Sequence, residues 1–203
     1  MLRTGVKIPS LGFGTWFLDD DKAKDAVKET LTVGYHHIDT AEVYGNEVGE
    51  GIRPSGKRRE EVFITTKLLS EAKTYDSTKE AIESSLNKLN VGVIDLMIIH
   101  SPEPWNDFRG GDYMEGNREA WRALEDYYLS GKLRAIGVSN FQKKIWKISL
   151  LPAVSLRWSI RFLPISEEYP RNSSISVKRT RLWSKPILRL PTERCSREKK
   201  WQK

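Results

Sequence analysis

The stretch Val93-Ile94-Asp95-Leu96-Met97-Ile98-Ile99-His100 contains six apolar residues among eight. A nearly continuous apolar run of this length is typical of a parallel strand that is covered on both faces. A loop rich in proline and glycine follows at residues 101–116, and residues 117–130 have apolar positions at helical spacing before Gly131. The stretch therefore predicts a strand, a long loop and a helix in that order.

The same order recurs along residues 11–141. Predicted strands lie at residues 11–16, 35–39, 62–67, 93–100 and 135–139, and predicted helices at residues 22–33, 46–52, from Ser77 onward and 117–130. Ser77 and Glu80 have the spacing of a capping box, which places Ser77 at the N-cap of the third helix. Sustained alternation of this kind favours an α/β fold with a parallel sheet and helices outside it.

Composition and charge exclude several classes of protein. The 203 residues are 38% hydrophobic and 30% charged, and no run approaches the ~18 apolar residues that a membrane span requires. The first residues lack the apolar core of a secretory signal, and one cysteine, Cys195, permits no internal disulfide. We therefore expect a cytoplasmic protein without a membrane partner. The oligomeric state is left open.

The net charge of +7 is unevenly distributed. Residues 142–203 hold 16 of the 34 basic residues and 4 of the 27 acidic ones, a net charge of +12, whereas residues 1–141 carry −5. All 14 glycines lie at or before Gly137. Residues 142–150 and 152–156 favour one more helix and strand, after which local signals disagree. We interpret residues 156–203 as a disordered basic tail. A nucleic-acid-binding arm is the less favoured alternative.

Polar residues stand at or just after the ends of successive predicted strands: Asp39, Tyr44, Lys67, His100, and the pair Ser139 and Asn140. In parallel α/β proteins these ends share one face, where polar residues favour a catalytic role. Taken singly, each residue also has a structural explanation, such as capping a loop or reaching solvent. Their shared position favours a common site.

These residue types suit proton transfer to a carbonyl oxygen. A tyrosine alone is too weak an acid to work efficiently at neutral pH, and a nearby ammonium favours its ionised form. Asp39 can hold the ammonium of Lys67, and His100 can donate a hydrogen bond to a substrate oxygen. No serine or cysteine nucleophile accompanies the set, and the histidines lack the spacing of metal ligands, so no metal is expected.

Residues 12–17 form a glycine-rich stretch that differs from dinucleotide and phosphate fingerprints, because Phe17 stands at the position of the third glycine. We expect its glycines to let a flat ring approach the backbone. A tight strand end is an equally good explanation.

Together these residues resemble the aldo-keto reductase family. Five ordered motifs carry the resemblance: residues 12–16 (GFGTW), 37–47 (HIDTAEVYGNE), 62–67 (VFITTK), 94–102 (IDLMIIHSP) and 131–141 (GKLRAIGVSNF). The resemblance implies a (β/α)8-type barrel and the reduction of an aldehyde or ketone with NADPH. The implied partner is a small-molecule carbonyl substrate.

The resemblance also assigns roles to individual residues. It implies that Tyr44 is the general acid, that Lys67 and Asp39 tune it, and that His100 orients the carbonyl group. The implied cofactor-binding residues are Gly14, Thr15, Trp16, Asp39, Ser139 and Asn140. The implied substrate pocket includes Trp16, Tyr44, His100 and Trp105.

The motifs of the family's last strands have no match after residue 141. We expect residues 1–155 to form a barrel that is incomplete at its C-terminal end, and residues 156–203 to form an unrelated, prematurely ended tail, as a change of reading frame would produce. The alternative function is therefore a truncated family member without catalytic activity. The preference for NADPH over NADH and the identity of the carbonyl compound stay open.

Overall fold

A computed structural model describes residues 6–45, 48–107 and 111–141 of the chain. Within these ranges, strands and α-helices alternate: β1 Phe13–Gly14, α1 Asp20–Thr32, β2 His37–Asp39, α2 Val48–Ile52, β3 Phe63–Leu68, α3 Tyr75–Leu89, β4 Leu96–Ile99, α4 Met114–Leu129 and β5 Ile136–Val138. Short 3-10 helices interrupt the connections at Glu42–Tyr44, Arg53–Ser55, Arg59–Glu61 and Trp105–Asp107.

The five strands form one parallel sheet in the order β1-β2-β3-β4-β5. In the register of the sheet, Asp39 lies opposite Thr65, Lys67 opposite Ile98, and Ile99 opposite Val138. Each strand therefore pairs with the next strand along the chain, with a crossover between them. This is the strand order of a (β/α)8-type barrel, and it confirms the predicted α/β class.

The sheet is buried on both faces, as the apolar strands predict. Side chains alternate along each strand. Ile64, Leu68, Met97, Ile99 and Val138 belong to the large core that includes the helices. Phe63, Leu96, Ile98 and Ala135 form a smaller cluster on the inner face, against which Val6 and Ile8 pack. Apolar side chains therefore pack against both faces of the sheet.

Four of the five strands are shorter than the stretches from which they were predicted, whereas β3 keeps six residues and is shifted by one. The first, predicted at residues 11–16, contains only Phe13 and Gly14, which pair with Ile38 and Asp39. Leu11 is half exposed, and Trp16 already belongs to a turn. At β3 and β4 the apolar run extends beyond the strand because the preceding residues Val62 and Ile94 also belong to the core.

The prediction that Ser77 caps α3 is wrong. The N-cap is Thr74, whose side chain accepts a hydrogen bond from the backbone N–H of Ser77, and the hydroxyl of Ser77 accepts one from the N–H of Thr74 in return. The reciprocal capping box therefore exists one turn earlier, with a serine where glutamate or glutamine is usual. Gly34 and Gly131 follow α1 and α4 with positive φ angles, a backbone conformation that commonly ends a helix.

The fourth helix also starts earlier than predicted, at Met114 instead of residue 117. Gly116 lies in the first turn of α4. Glycine disfavours a helix, but here the helix is stabilised by packing against Lys73. A Cβ atom at Gly116 would lie 2.8 Å from the backbone oxygen of Lys73. The glycine therefore permits a close approach between this helix and the β3–α3 loop.

Several predictions fall outside the described residues. These are the start of the helix at residues 46–47, the helix at 142–150, the strand at 152–156, the boundary at 155 and the basic tail at 156–203. They remain predictions. In the part of the chain that is described, none of the helices has the length and apolar character needed to cross a bilayer.

Candidate active site

The carboxyl ends of the parallel strands bring the predicted polar residues to one edge of the sheet. Asp39 is the last residue of β2, Lys67 is the penultimate residue of β3, and His100 and Ser139 directly follow β4 and β5. The register therefore places side chains that are 28 to 39 positions apart in the sequence on neighbouring strands.

Lys67 and Asp39 form a buried ion pair. The Nζ atom of Lys67 donates to Oδ1 of Asp39 and, over 2.8 Å, to the backbone oxygen of Thr40. Each residue is only 3% exposed. An isolated buried charge is costly, and here the carboxylate and the extra carbonyl acceptor compensate the buried ammonium and hold it in place.

Tyr44 lies beside this ammonium. The 3-10 turn Glu42–Tyr44 carries the half-buried ring over the site, and Gly45 ends the turn with φ +64°. The Nζ atom of Lys67 is 5.2 Å from the centre of the Tyr44 ring. This places a positive charge beside the aromatic ring.

His100 completes the group, with its ring near that of the tyrosine. The two ring centroids are 6.3 Å apart, with the rings nearly perpendicular. Burial, followed by the charge of Lys67, lowers the pKa of His100 from 6.5 to about 4, against the smaller opposing effects of Asp39 and Glu71. The imidazole is therefore neutral at physiological pH. Its Nδ1 atom is buried and has no hydrogen-bond partner among the described residues.

Trp105 packs edge-on against His100, with 5.5 Å between the ring centroids. Its backbone N–H donates to Oε1 of Glu71 over 3.3 Å, which ties the β4–α4 loop to the β3–α3 loop. The indole remains 46% exposed. The structure therefore brings together Asp39, Tyr44, Lys67, His100 and Trp105.

The glycine-rich stretch lies next to this group. Thr15 is fully buried, its N–H donates to the backbone oxygen of Asp39 over 3.1 Å, and its hydroxyl donates to the hydroxyl of Thr40 over 2.9 Å. Trp16 is 45% exposed and stacks on Phe17, with 4.2 Å between ring centroids. Gly14 pairs with Asp39 in the sheet, so these residues form the border of the site beside β2.

A flat ring does lie against one of these glycines, but it belongs to the protein. A Cβ atom at Gly12 would lie 2.6 Å from Nδ1 of His37. His37 is buried, and its Nε2 atom is 2.9 Å from the hydroxyl oxygen of Thr65. Gly12 therefore accommodates a core histidine.

Ser139 and Asn140 border the site at β5. The N–H of Ser139 donates to the oxygen of Ile99 over 2.8 Å. Asn140 has φ +62°, a conformation that asparagine tolerates better than most residues. Its side-chain nitrogen donates to the backbone oxygen of His100 over 2.8 Å. Within the described ranges, no group of three or more His, Cys, Asp or Glu side chains is arranged to hold a metal ion.

Sequence reasoning missed three contributors to this site: Thr40, Glu71 and Phe17. Thr40 acts through its backbone oxygen and Glu71 through a backbone N–H of another loop. Residue type carries no signal for such contacts. The adjacent aromatic residues Trp16 and Phe17 were visible in the sequence, and they could have suggested a stacked pair.

The sequence of the chain is similar to those of known proteins. The model of the aldo/keto reductase family matches residues 10–169, well over half of the chain. Glyoxal reductase of Bacillus subtilis is 44% identical over 144 residues, which cover 70% of this chain and 49% of that protein.

Two solved structures have the same architecture. An aldo/keto reductase of Brucella melitensis matches with a TM-score of 0.69 and 39% identity, over 79% of this chain and 60% of that one. An aldo-keto reductase of Bombyx mori in complex with NADP matches with a TM-score of 0.67 and 34% identity, over 79% and 56%. The curated relatives are longer, since this chain spans between 47% and 66% of their length.

Proposed function

The chain belongs to the aldo/keto reductase family, and from this premise we propose that it reduces an aldehyde or a ketone to an alcohol with NADPH. One observation carries the proposal: the ammonium of Lys67, paired with Asp39, lies 5.2 Å from the centre of the Tyr44 ring, and the ring centroid of His100 lies 6.3 Å from that of the same tyrosine. This is a proton donor with a charge that stabilises its conjugate base.

In the proposed reaction, the hydroxyl of Tyr44 donates its proton to the carbonyl oxygen. The phenolate that remains is stabilised by the ammonium of Lys67, which Asp39 and the Thr40 carbonyl hold in the buried site. Asp39 therefore acts through Lys67. The proton on Tyr44 is later restored from solvent.

His100 is proposed to orient the substrate. Because its pKa is about 4, it is neutral and carries one ring proton. An unpartnered buried N–H is costlier than an unpartnered acceptor, and Nδ1 has no partner among the described residues, so the proton is better placed on Nε2. A neutral N–H donor polarises a carbonyl group without competing with Tyr44 for proton transfer.

The residues present fit a nicotinamide cofactor because their chemistry is incomplete without one. Tyr44, Lys67 and His100 can protonate and polarise, but no side chain among them can donate a hydride. NADPH, when bound, supplies the hydride that reaches the carbonyl carbon. Ser139 and Asn140 would hold its carboxamide, and Gly14, Thr15, Trp16 and Asp39 would border it.

The exposed aromatic rings support a pocket for the substrate. Trp16 and Trp105 are both half exposed at the edge of the sheet that holds Tyr44 and His100, and Trp105 contacts His100 directly. We propose that these four residues line the substrate site. The similarity to glyoxal reductase makes small aldehydes and dicarbonyl compounds the first candidates to test.

The test uses the full 203-residue chain. NADPH is titrated while tryptophan fluorescence is recorded, and NADPH consumption is then followed with glyoxal and with an aromatic aldehyde. We expect saturable quenching and aldehyde-dependent NADPH consumption with formation of the alcohol. A cooperatively folded chain that shows neither would contradict the proposal and identify a non-catalytic relative of these reductases.

A further inference from the structure

Three consecutive backbone carbonyl groups follow β4, and a side-chain nitrogen binds each of them. The oxygen of His100 accepts from Asn140 over 2.8 Å, that of Ser101 from Lys73 over 2.9 Å, and that of Pro102 from Asn117 over 2.9 Å. The chain has left the sheet here, so these side chains take the place of a strand partner. They come from three elements: the end of β5, the β3–α3 loop and the first turn of α4.

Lys73 connects two of these three contacts. Besides Ser101, its Nζ atom donates to Oδ1 of Asn117 over 2.8 Å. Since Oδ1 accepts from the lysine, the amide of Asn117 is oriented with its nitrogen toward Pro102. The loss of Lys73 would therefore free the carbonyl of Ser101 and also the orientation of the amide that holds Pro102.

The surroundings of Lys73 are built closely around it. Asn117 is 1% exposed, and the first turn of α4 approaches the backbone of Lys73 so closely that only a glycine fits at Gly116. Burial lowers the pKa of Lys73 to about 8, and the charges of Glu71 and Glu103 oppose that effect. The ammonium form therefore predominates at neutral pH and makes charge-assisted hydrogen bonds.

We propose that Lys73 is a positioning residue that holds the backbone of residues 100–102 and thereby sets the place of the His100 ring. The ring of Trp105 packs on His100, so its place follows as well. The catalytic part of this inference rests on the proposed carbonyl reduction. The structural part, control of the His100 ring by Lys73, can be tested without turnover.

The first test compares Lys73→Met with Lys28→Met, the same change at an exposed position on α1. Small displacements of a catalytic group lower rates strongly, so we expect kcat/KM for the aldehyde to fall ~10–100-fold in Lys73→Met. The dissociation constant for NADPH and the rate of Lys28→Met should stay within about twofold of the wild type. A Lys73→Met variant with unchanged kcat/KM would overturn the catalytic part.

A double-substitution cycle separates positioning from general damage. If Lys73 acts through His100, Lys73→Met should cause little further loss in a His100→Gln background. An equal fold-loss in both backgrounds would overturn the proposed route through His100.

The second test reads the histidine directly by NMR of the imidazole C–H groups. In Lys73→Met, we expect the His100 resonance to move while those of His36 and His37 stay in place, because those rings contact Glu61 and Thr65 instead. Asn117→Asp keeps an acceptor for Lys73 but removes the donor to Pro102, so it should move the same resonance less. It also serves as the second variant if Lys73→Met fails to fold. An unmoved His100 resonance in the folded variant would overturn the structural part even in a chain without turnover.

Discussion

His100 keeps its neutral form because of where it lies. Its ring is largely withdrawn from water and lies near the ammonium of Lys67, and both effects disfavour a positive charge on the imidazole. In the unfolded chain the same imidazole would titrate near 6.5. The folded protein therefore binds this proton more weakly than the unfolded chain does.

This difference predicts a pH dependence of stability. The contribution from neutral His100 is fully present above pH 6.5 and is lost as the pH falls toward 4. We expect the free energy of unfolding to fall between pH 7 and pH 4.5 by about 2 kcal/mol more in the wild type than in His100→Gln. Urea unfolding at both values measures it, since the other titrating groups are common to the two proteins. Equal pH dependences would show that His100 is not held neutral.

The short helix α2 lies between two longer helices, and glycine makes this possible. A Cβ atom at Gly49 would lie 2.1 Å from the carbonyl oxygen of Leu89 at the end of α3, and one at Gly51 would lie 2.5 Å from the oxygen of Lys24 in α1. Neither neighbour is a flexible side-chain end. The backbone of α2 therefore contacts both helices directly.

Gly49→Ala should accordingly destabilise the fold. We expect the free energy of unfolding to fall by ~2 kcal/mol, because the helices must separate to admit the methyl group. Gly92→Ala is the comparison, since Gly92 has φ +75° but nothing within 4 Å of its Cβ position, so only backbone strain opposes that change. Equilibrium unfolding in urea compares the two. A smaller loss for Gly49→Ala than for Gly92→Ala would contradict the close approach.

The order and type of the elements could be predicted because each has a local cause. The apolar run at β4, the helical spacing around Ala120 and Leu124, and the glycine after α4 are features of neighbouring residues. Their boundaries depend on contacts far away in sequence. The N-cap of α3 is Thr74 and not Ser77. Gly116 belongs to α4, whose first turn packs against Lys73.

The candidate site shows the same division. Asp39, Lys67 and His100 could be predicted as neighbours because the ends of parallel strands meet at one edge. The bonds from Lys73 and Asn117 to backbone oxygens could not, because loops bring these groups together across 28 and 15 positions. The neutral state of His100 likewise depends on burial that no local pattern shows.

The two ends of the sheet hold different groups of polar residues. At the end opposite the site, the carboxylate of Asp95, just before β4, accepts from the N–H of Ile64 over 2.9 Å and from Arg59 and Arg134 over 2.6 and 2.5 Å. Asp95 is 1% exposed. It joins the starts of β3, β4 and β5 without contact to the residues of the site.

Asp95→Asn should therefore affect stability and spare catalysis. We expect a loss of ~2 kcal/mol in the free energy of unfolding, because the two guanidinium groups lose their shared carboxylate. Below the melting temperature of the variant, kcat should stay within about twofold of the wild type. Urea unfolding and steady-state kinetics on the same preparation check both expectations. A large fall in kcat with an unchanged free energy of unfolding would contradict the expectation that Asp95 supports stability and not catalysis.

In the proposed reaction the proton comes from one hydroxyl group, so the turnover of Tyr44→Phe tests the proposal most directly. With Tyr35→Phe as a control away from the site, NADPH-dependent reduction of an aldehyde should fall at least ~100-fold in Tyr44→Phe alone, while NADPH still quenches its tryptophan fluorescence with wild-type affinity. Turnover by Tyr44→Phe at the rate of the wild-type chain would show that the proton comes from elsewhere and would contradict the account.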